Sequence, residues 1–432
     1  MFQSFVYSIM RANLLGLALT VALLSTAGAW ALILWSKEKA RKEKLRYLLA
    51  KKRRSRRENF DRVASNLENL RGKYDKKIVE YSFKELREKL QNEHLTPVEV
   101  LWAYQDRALL AQKLTNCVTE FIDEAPELAS KLMAKYSGKP KPYLYGVPFS
   151  VKECYQLKGF DNTLGLAQFI DHPSLSTSTV VAKMESLGAV PFVRTNLPTT
   201  MMSIGSYNPI FGATTNPYDP ERRCSGGSSS GEAALLACLG SPLGLGTDIG
   251  GSVRTPAHCC GVASLKPTWG RMCQQGRFGL MPGSLAVKGC SGLMARDVDA
   301  LIECCRALWT DFDYDPLVMP LPFRESMLDQ GKSFKIGYYW TDGLLEPVPT
   351  CRRALEEARQ ALLDLGHRVV DFEPLFIEEF YELYNLLITP DNGRRMKEFL
   401  DADIEDKVHN GVWFRKDRWT SLRRQSESRL KS

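Results

Sequence analysis

Two short elements of one composition, Gly226-Gly227-Ser228 and Gly250-Gly251-Ser252, stand either side of a small-residue apolar stretch at 232–239. Each could present a serine hydroxyl on a sharply turned backbone, because glycine tolerates positive φ and leaves room for close approach. The successive N–H groups of Ile249, Gly250, Gly251 and Ser252 could then converge as a nest for an oxyanion. A single Gly-Gly-Ser is more often a plain turn. Two copies around a buried helix, with Thr247 and Asp248 before the second and Arg254 after it, favour nucleophilic chemistry by a serine.

A serine hydroxyl is a weak nucleophile at neutral pH and needs an adjacent base. Histidine is the familiar one, yet His94, His172, His258, His367 and His409 sit in no motif that marks a catalytic residue. The run 227–231 formally satisfies G-x-S-x-G with Ser229 as nucleophile. That motif requires a strand immediately before it, and 217–224 reads as turn-like and charged. Lys152 is the other candidate. It ends the apolar run Pro148-Phe149-Ser150-Val151, where full burial would lower its pKa from near 10.4 by roughly several units and leave an amine able to accept a proton. A lysine in a strand is more often a surface residue that snorkels, so the residues alone leave both roles open.

The run 226–254 and the stretch 145–153, Tyr-Gly-Val-Pro-Phe-Ser-Val-Lys-Glu, together resemble the amidase signature family. Within it the chain looks most like the membrane-bound fatty-acid amide hydrolases, over roughly 96–365. The resemblance implies a Ser-Ser-Lys triad: Ser252 attacks, Ser228 relays its proton, and neutral Lys152 receives it. It implies an oxyanion held on the N–H groups of Ile249, Gly250, Gly251 and Ser252, an acyl-enzyme hydrolysed by water, and no metal or other cofactor. Met201 would line the substrate site, and Met202 stands where relatives often carry an aromatic residue. Asp248 and Arg254 are expected to hold the loop rather than react. The implied fold is α/β, a mixed, largely parallel sheet surrounded by helices. The implied partners are a lipid amide substrate, the endoplasmic reticulum membrane with the catalytic domain facing the cytosol, and a second copy in a homodimer. Similar amidases continue well beyond this length, so the catalytic domain is expected to be C-terminally incomplete. Two further readings remain: an amidase or amidotransferase-type enzyme on small polar amides, and a tethered variant whose triad is idle.

The elements that would position this chemistry are read from pattern. The stretch 14–35 has no charged residue and is long enough to cross a bilayer, which takes about 20 residues. Ala27-Gly28-Ala29 resembles a signal-peptide cleavage site, but the apolar run continues past it to Trp35. Twelve Lys or Arg against two Glu lie within 36–57, a local charge of +10 that leaves −2 for the rest of a chain whose net charge is +8. That distribution places the residues after the span in the cytosol and excludes a basic nucleic-acid face on the globular part. We therefore expect a short segment 1–12, a single transmembrane helix 13–35, a polybasic connector 36–79 able to attract anionic headgroups, and a catalytic domain 80–432. Eleven cysteines without repeated spacing suit reduced, buried thiols. Thr96-Pro97-Val98-Glu99 is a capping box opening a helix to 114. Strands are expected at 117–122, 189–194, 335–339 and 367–372, and helices at 125–136, 351–365 and 375–388. Trp413, Phe414 and Trp419 among arginines suggest either an interfacial element or an ordinary surface helix.

Overall fold

The computed structural model describes residues 2–403 except 282, 283, 311, 329 and 330, and the side chains of all of these but 2–25 and 27. Most of the expected transmembrane span 13–35 therefore lies outside the described side chains, and Trp413, Phe414 and Trp419 lie outside the described residues. Among the described residues no helix is long and apolar enough to cross a membrane. The chain opens with helix α1 (Phe2–Asn69), then α2 (Phe83–Gln91) and α3 (Pro97–Thr115). The capping box forms as expected: Thr96 Oγ1 accepts from Glu99 N, and Glu99 Oε2 accepts from Thr96 N. Next come β1 (Val118–Phe121), α4 (Ala125–Tyr136), β2 (Pro148–Lys152), α5 (Thr179–Ser186) and β3 (Val190–Thr195). A hairpin of β4 (Thr215–Asn216) and β5 (Asp219–Cys224) leads to α6 (Ser230–Ala237), β6 (Leu243–Asp248) and α7 (Arg254–Cys260). The rest is β7 (Ala263–Leu265), β8 (Cys290–Ala295), α8 (Val298–Leu308), β9 (Lys335–Tyr338), α9 (Pro349–Asp364), β10 (Arg368–Asp371), α10 (Ile377–Ile388) and α11 (Arg394–Asp401).

A strand buried on both faces must be apolar or internally satisfied, and β2, β3, β6 and β8 are buried at every position. They form the centre of a six-stranded sheet of order β1-β3-β2-β6-β8-β7. The pairs β2/β3 and β2/β6 are parallel, whereas β1/β3, β6/β8 and β7/β8 are antiparallel. The sheet is thus mixed, with a parallel core of three strands and antiparallel margins. Since β2 and β6 are parallel neighbours, their C-terminal ends meet at one edge of the sheet, and that edge carries Lys152 and Asp248.

Part of the expected connector 36–79 packs against the central sheet. An edge strand exposes unpaired backbone groups that must be covered, and α1 covers β1. Asn59 accepts from Phe121 N at 2.8 Å and donates to Phe121 O at 3.1 Å, completing the edge as a neighbouring strand would. Arg56 bonds the carbonyl of Val118 and Asn116 Oδ1, and Phe60 meets Phe121 edge-on. Lys52 lies 3.2 Å from Asp161 and 3.3 Å from Glu120, and Arg53 bonds the carbonyls of Pro209 and Ile210. Leu45, Leu48, Val63 and Leu67 are buried in the same interface. Lys52, Arg53 and Arg56 of the polybasic stretch bond β1 and the loops beside it, because the helical repeat turns 45, 48, 52, 56, 59 and 63 to one side with 53 at its margin.

Toward the C-terminal end, β9, α9 and β10 form a parallel two-stranded unit in which α9 buries no residue. Phe376, Phe380, Leu383 and Leu386 of the next segment are exposed, while Ile388 and Met396 reach the core. All eleven cysteines are free, seven of them buried.

Asn59→Ala should destabilise the chain, because it leaves the N–H and C=O of Phe121 unpaired at about 1–3 kcal/mol for each buried group left unsatisfied. Thermal unfolding in detergent checks this, with the exposed Lys44→Ala expected to leave the transition unmoved.

Candidate active site

Lys152 is wholly buried, and its Nζ lies 2.7 Å from Ser228 Oγ and 2.8 Å from Thr247 Oγ1. Both partners are hydroxyls, which can donate or accept as the amine requires. Among the described residues no carboxylate is bonded to it. Burial lowers its pKa to about 8, against weaker raising effects, the first from Cys154 and the next from Asp248. The amine that the apolar run 148–151 pointed to is therefore within reach of its neutral form near physiological pH. Thr247 stands in the sequence immediately before Asp248, but nothing in its type or spacing marked it as the second partner of the lysine.

The loop carrying Ser252 leaves β6 and is pinned by one carboxylate. Asp248 accepts from Gly251 N at 2.8 Å, from Val253 N at 3.1 Å, and from Arg254 Nη2 at 2.9 Å and Nε at 3.1 Å. Burial alone would raise this acid, but the bond from Arg254 and the two backbone donors outweigh it and hold the pKa below its ordinary value. Asp248 and Arg254 thus have the holding role expected of them. Gly251 gives its N–H, one of the four expected nest donors, to Asp248 in this structure. Its φ of +125° is what allows that turn, since the conformation suits only glycine. The N–H groups of Ile249, Gly250 and Ser252 make no hydrogen bond among the described residues, so three of the four expected nest donors are open. Ser252 itself is partly exposed, as a residue that must meet substrate has to be.

Ser228 is buried and comes after a cis peptide bond from Gly227. A Cβ on Gly227 would lie 2.1 Å from Gly205 O and 2.7 Å from Ser203 O, so only glycine lets the segment after Met201 lie against this loop. Met201 itself is half-buried against the core. The two serine loops are joined where Ser229 N donates to Ser252 O at 3.0 Å. Ser229 Oγ faces the Thr247 backbone. A strand, β5, does precede it, contrary to the turn-like reading of 217–224. It belongs to an exposed two-stranded hairpin rather than to the central sheet, so no nucleophile elbow forms.

One contact was invisible in the sequence. A Cβ on Gly250 would lie 1.9 Å from Tyr384 Oη, so the tyrosine of α10 rests directly on the nest. Burial, and then the charge of Asp248, raise the pKa of this phenol and keep it protonated.

The family model described as Amidase matches residues 99–427. The chain belongs to the amidase family. Fatty acid amide hydrolase 1 of Caenorhabditis elegans is 39% identical to this amidase-family chain over 357 residues, covering 80% of the chain and 62% of that protein. Fatty-acid amide hydrolase 1 of Sus scrofa is 41% identical over 325 residues, covering 74% of the chain and 55% of that protein. The chain thus spans little more than half the length of these two curated relatives. A solved fatty acid amide hydrolase structure superposes with a TM-score of 0.77 at 27% identity, over 88% of this chain and 73% of that one. An amidase-signature α/β fold is thereby established, together with the placement of both serine loops within the matched region.

Gly250→Ala should displace Tyr384 and cost about 1–3 kcal/mol, the usual range for overpacking. In the Tyr384→Phe background the nearest ring carbon is 3.1 Å from the new methyl, so the same substitution should cost less. A double-mutant cycle by thermal unfolding measures the difference, and equal costs in both backgrounds would contradict the contact.

Proposed function

We propose that this chain is a membrane-anchored serine hydrolase of long-chain fatty-acid amides, working through Ser252, Ser228 and Lys152. The observation that carries the reading is the buried, carboxylate-free amine of Lys152 bonded to Ser228 beneath the loop that bears Ser252. Its resemblance to fatty-acid amide hydrolases supports the substrate class.

Neutral Lys152 accepts the Ser228 hydroxyl proton while Ser228 takes that of Ser252, and Ser252 Oγ bonds to the amide carbonyl carbon. Negative charge develops on the carbonyl oxygen, where the N–H groups of Ile249, Gly250 and Ser252 receive it. The ammonium formed at Lys152 is met by the hydroxyl oxygens of Ser228 and Thr247. The relay then reverses and protonates the departing nitrogen, since an amine leaves poorly as an anion. Water, activated by the same relay, cleaves the acyl-serine ester to fatty acid and free Ser252.

The apolar stretch 14–35 and the basic residues behind it support a single-pass anchor with the enzyme on the cytosolic side, which we assign to the endoplasmic reticulum. An enzyme held at a bilayer meets lipid amides there, and we expect it to act as a homodimer.

Hydrolysis of a long-chain acyl amide in detergent should rise with pH through about 8, the lowered value for Lys152, because only the amine accepts a proton. Lys152→Ala should lower kcat by about 10²- to 10⁴-fold, the usual weight of general-base catalysis. Faster turnover of acetamide than of the long-chain amide would overturn the substrate assignment.

A further inference from the structure

One buried acid takes no part in that reaction. Glu232 stands in the first turn of α6, wholly inaccessible, with its carboxyl lodged among β2, β3 and β6. Its Oε2 is 2.5 Å from Ser150 Oγ, and its Oε1 is 2.7 Å from Thr195 Oγ1. A Cβ on Gly244 would come within 2.4 Å of Oε2, so the carboxyl lies flat on β6 where only glycine fits.

The protons at this site can be counted. Ser150 Oγ also lies 3.1 Å from Leu243 O, a carbonyl that can only accept and that also accepts from Ser241 Oγ at 2.6 Å. Ser150 has one hydroxyl proton. If that proton goes to Leu243, the short contact with Glu232 must be made by a proton on the carboxyl. The whole set is then satisfied: Glu232 donates to Ser150, Ser150 donates to Leu243, and Thr195 donates to Glu232. An ionised carboxylate would take the Ser150 proton and leave Leu243 O to Ser241 alone.

Among the described residues no cation bonds the group. Among the charged residues on the elements packed around it, Arg194 of β3 is turned to Glu120 and to the carbonyls of Asp161 and Glu153. Asp248 of β6 is held by Arg254 of α7, and Arg107 of α3 bonds Cys238 O. His258 of α7 is exposed, which leaves Lys152 of β2 as the one whose charge acts on Glu232. Burial pushes the carboxyl up to about 8, the direction that favours the protonated form.

We infer that Glu232 is a protonated positioning residue, tying β2 to β3 through Ser150 and Thr195 while sparing Lys152 a carboxylate that would keep its amine charged. Ser150 and Lys152 point to the same side of β2, two residues apart, so the tie at one fixes the direction of the other. The inference rests on Lys152 as the base, but its test does not depend on amide hydrolysis.

Infrared difference spectra of the full chain in detergent, wild type minus Glu232→Gln at neutral pH, should show the carbonyl band of a protonated carboxyl. An ionised carboxylate band in its place would overturn the inference. Fluorophosphonate labelling of Ser252 gives the second readout. Glu232→Gln should keep the wild-type rate within about threefold and the midpoint of its pH dependence within about half a unit. A midpoint lowered by about one unit or more would mean that a negative charge beside Lys152 had been removed, against the inference. If Glu232→Gln gives no cooperative thermal transition, the comparison is wild type against Ser150→Ala. The protonated-carboxyl band must then be present in the wild type and shifted by loss of the Ser150 acceptor; a band that is absent or unmoved would overturn it.

Discussion

A primary amine sealed from water, with hydroxyls and no carboxylate for partners, is the constraint on which the rest of this structure depends. Moving an ammonium out of water is costly enough that the group sheds its proton instead. The amine can stay sealed only if β2 is covered on both faces and flanked on both edges, as it is by β3 and β6. The small residues of β6 serve that end. Gly244 makes room for the Glu232 carboxyl, and a Cβ on Gly246 would press to 2.8 Å on both Ser229 Oγ and Val253 Cγ1, so glycine there lets α6 and the nucleophile loop close over the lysine.

The same region places two kinds of buried charge side by side and treats them differently. Arg194, on the opposite side of β3 from Thr195, is met by Glu120 and three backbone carbonyls. Lys52 of α1 then balances Glu120 and Asp161, so that an N-terminal helix completes an ion cluster one layer from the catalytic strand. Breaking such a cluster by removing one partner typically costs about 3–5 kcal/mol, because a buried charge is left uncompensated. The docking of α1 is therefore a condition for the sheet edge, and through β1 and β3 for the strand that holds Lys152.

Much of this was legible in the sequence where the determinants are local. The capping box at Thr96, the helix at Ala125–Tyr136 and the short strands come from residue pattern, and the two Gly-Gly-Ser loops and Lys152 were found by motif and resemblance. What was missed depends on contacts between distant segments. Residues 36–57 read as a headgroup-facing patch because a charge count cannot tell which turn of the helix meets β1. The bond from Gly251 N–H to Asp248 is likewise set by the folded loop and not by spacing. Tyr384 carries no motif, and its place over Gly250 is set by the packing of α10 against a loop 134 residues earlier in the chain. The strand Asp219–Cys224 escaped notice because its pairing is an exposed, charged hairpin with no apolar alternation.

The central claim is that Ser252, Ser228 and Lys152 form one working site, and the most direct measurement is mass-spectrometric mapping of the serine modified by a lipophilic fluorophosphonate on the detergent-solubilised chain. The account predicts modification at Ser252, abolished in Ser252→Ala and slowed in Lys152→Ala. Modification at Ser229, or labelling at Ser252 that proceeds at the wild-type rate in Lys152→Ala, would contradict it.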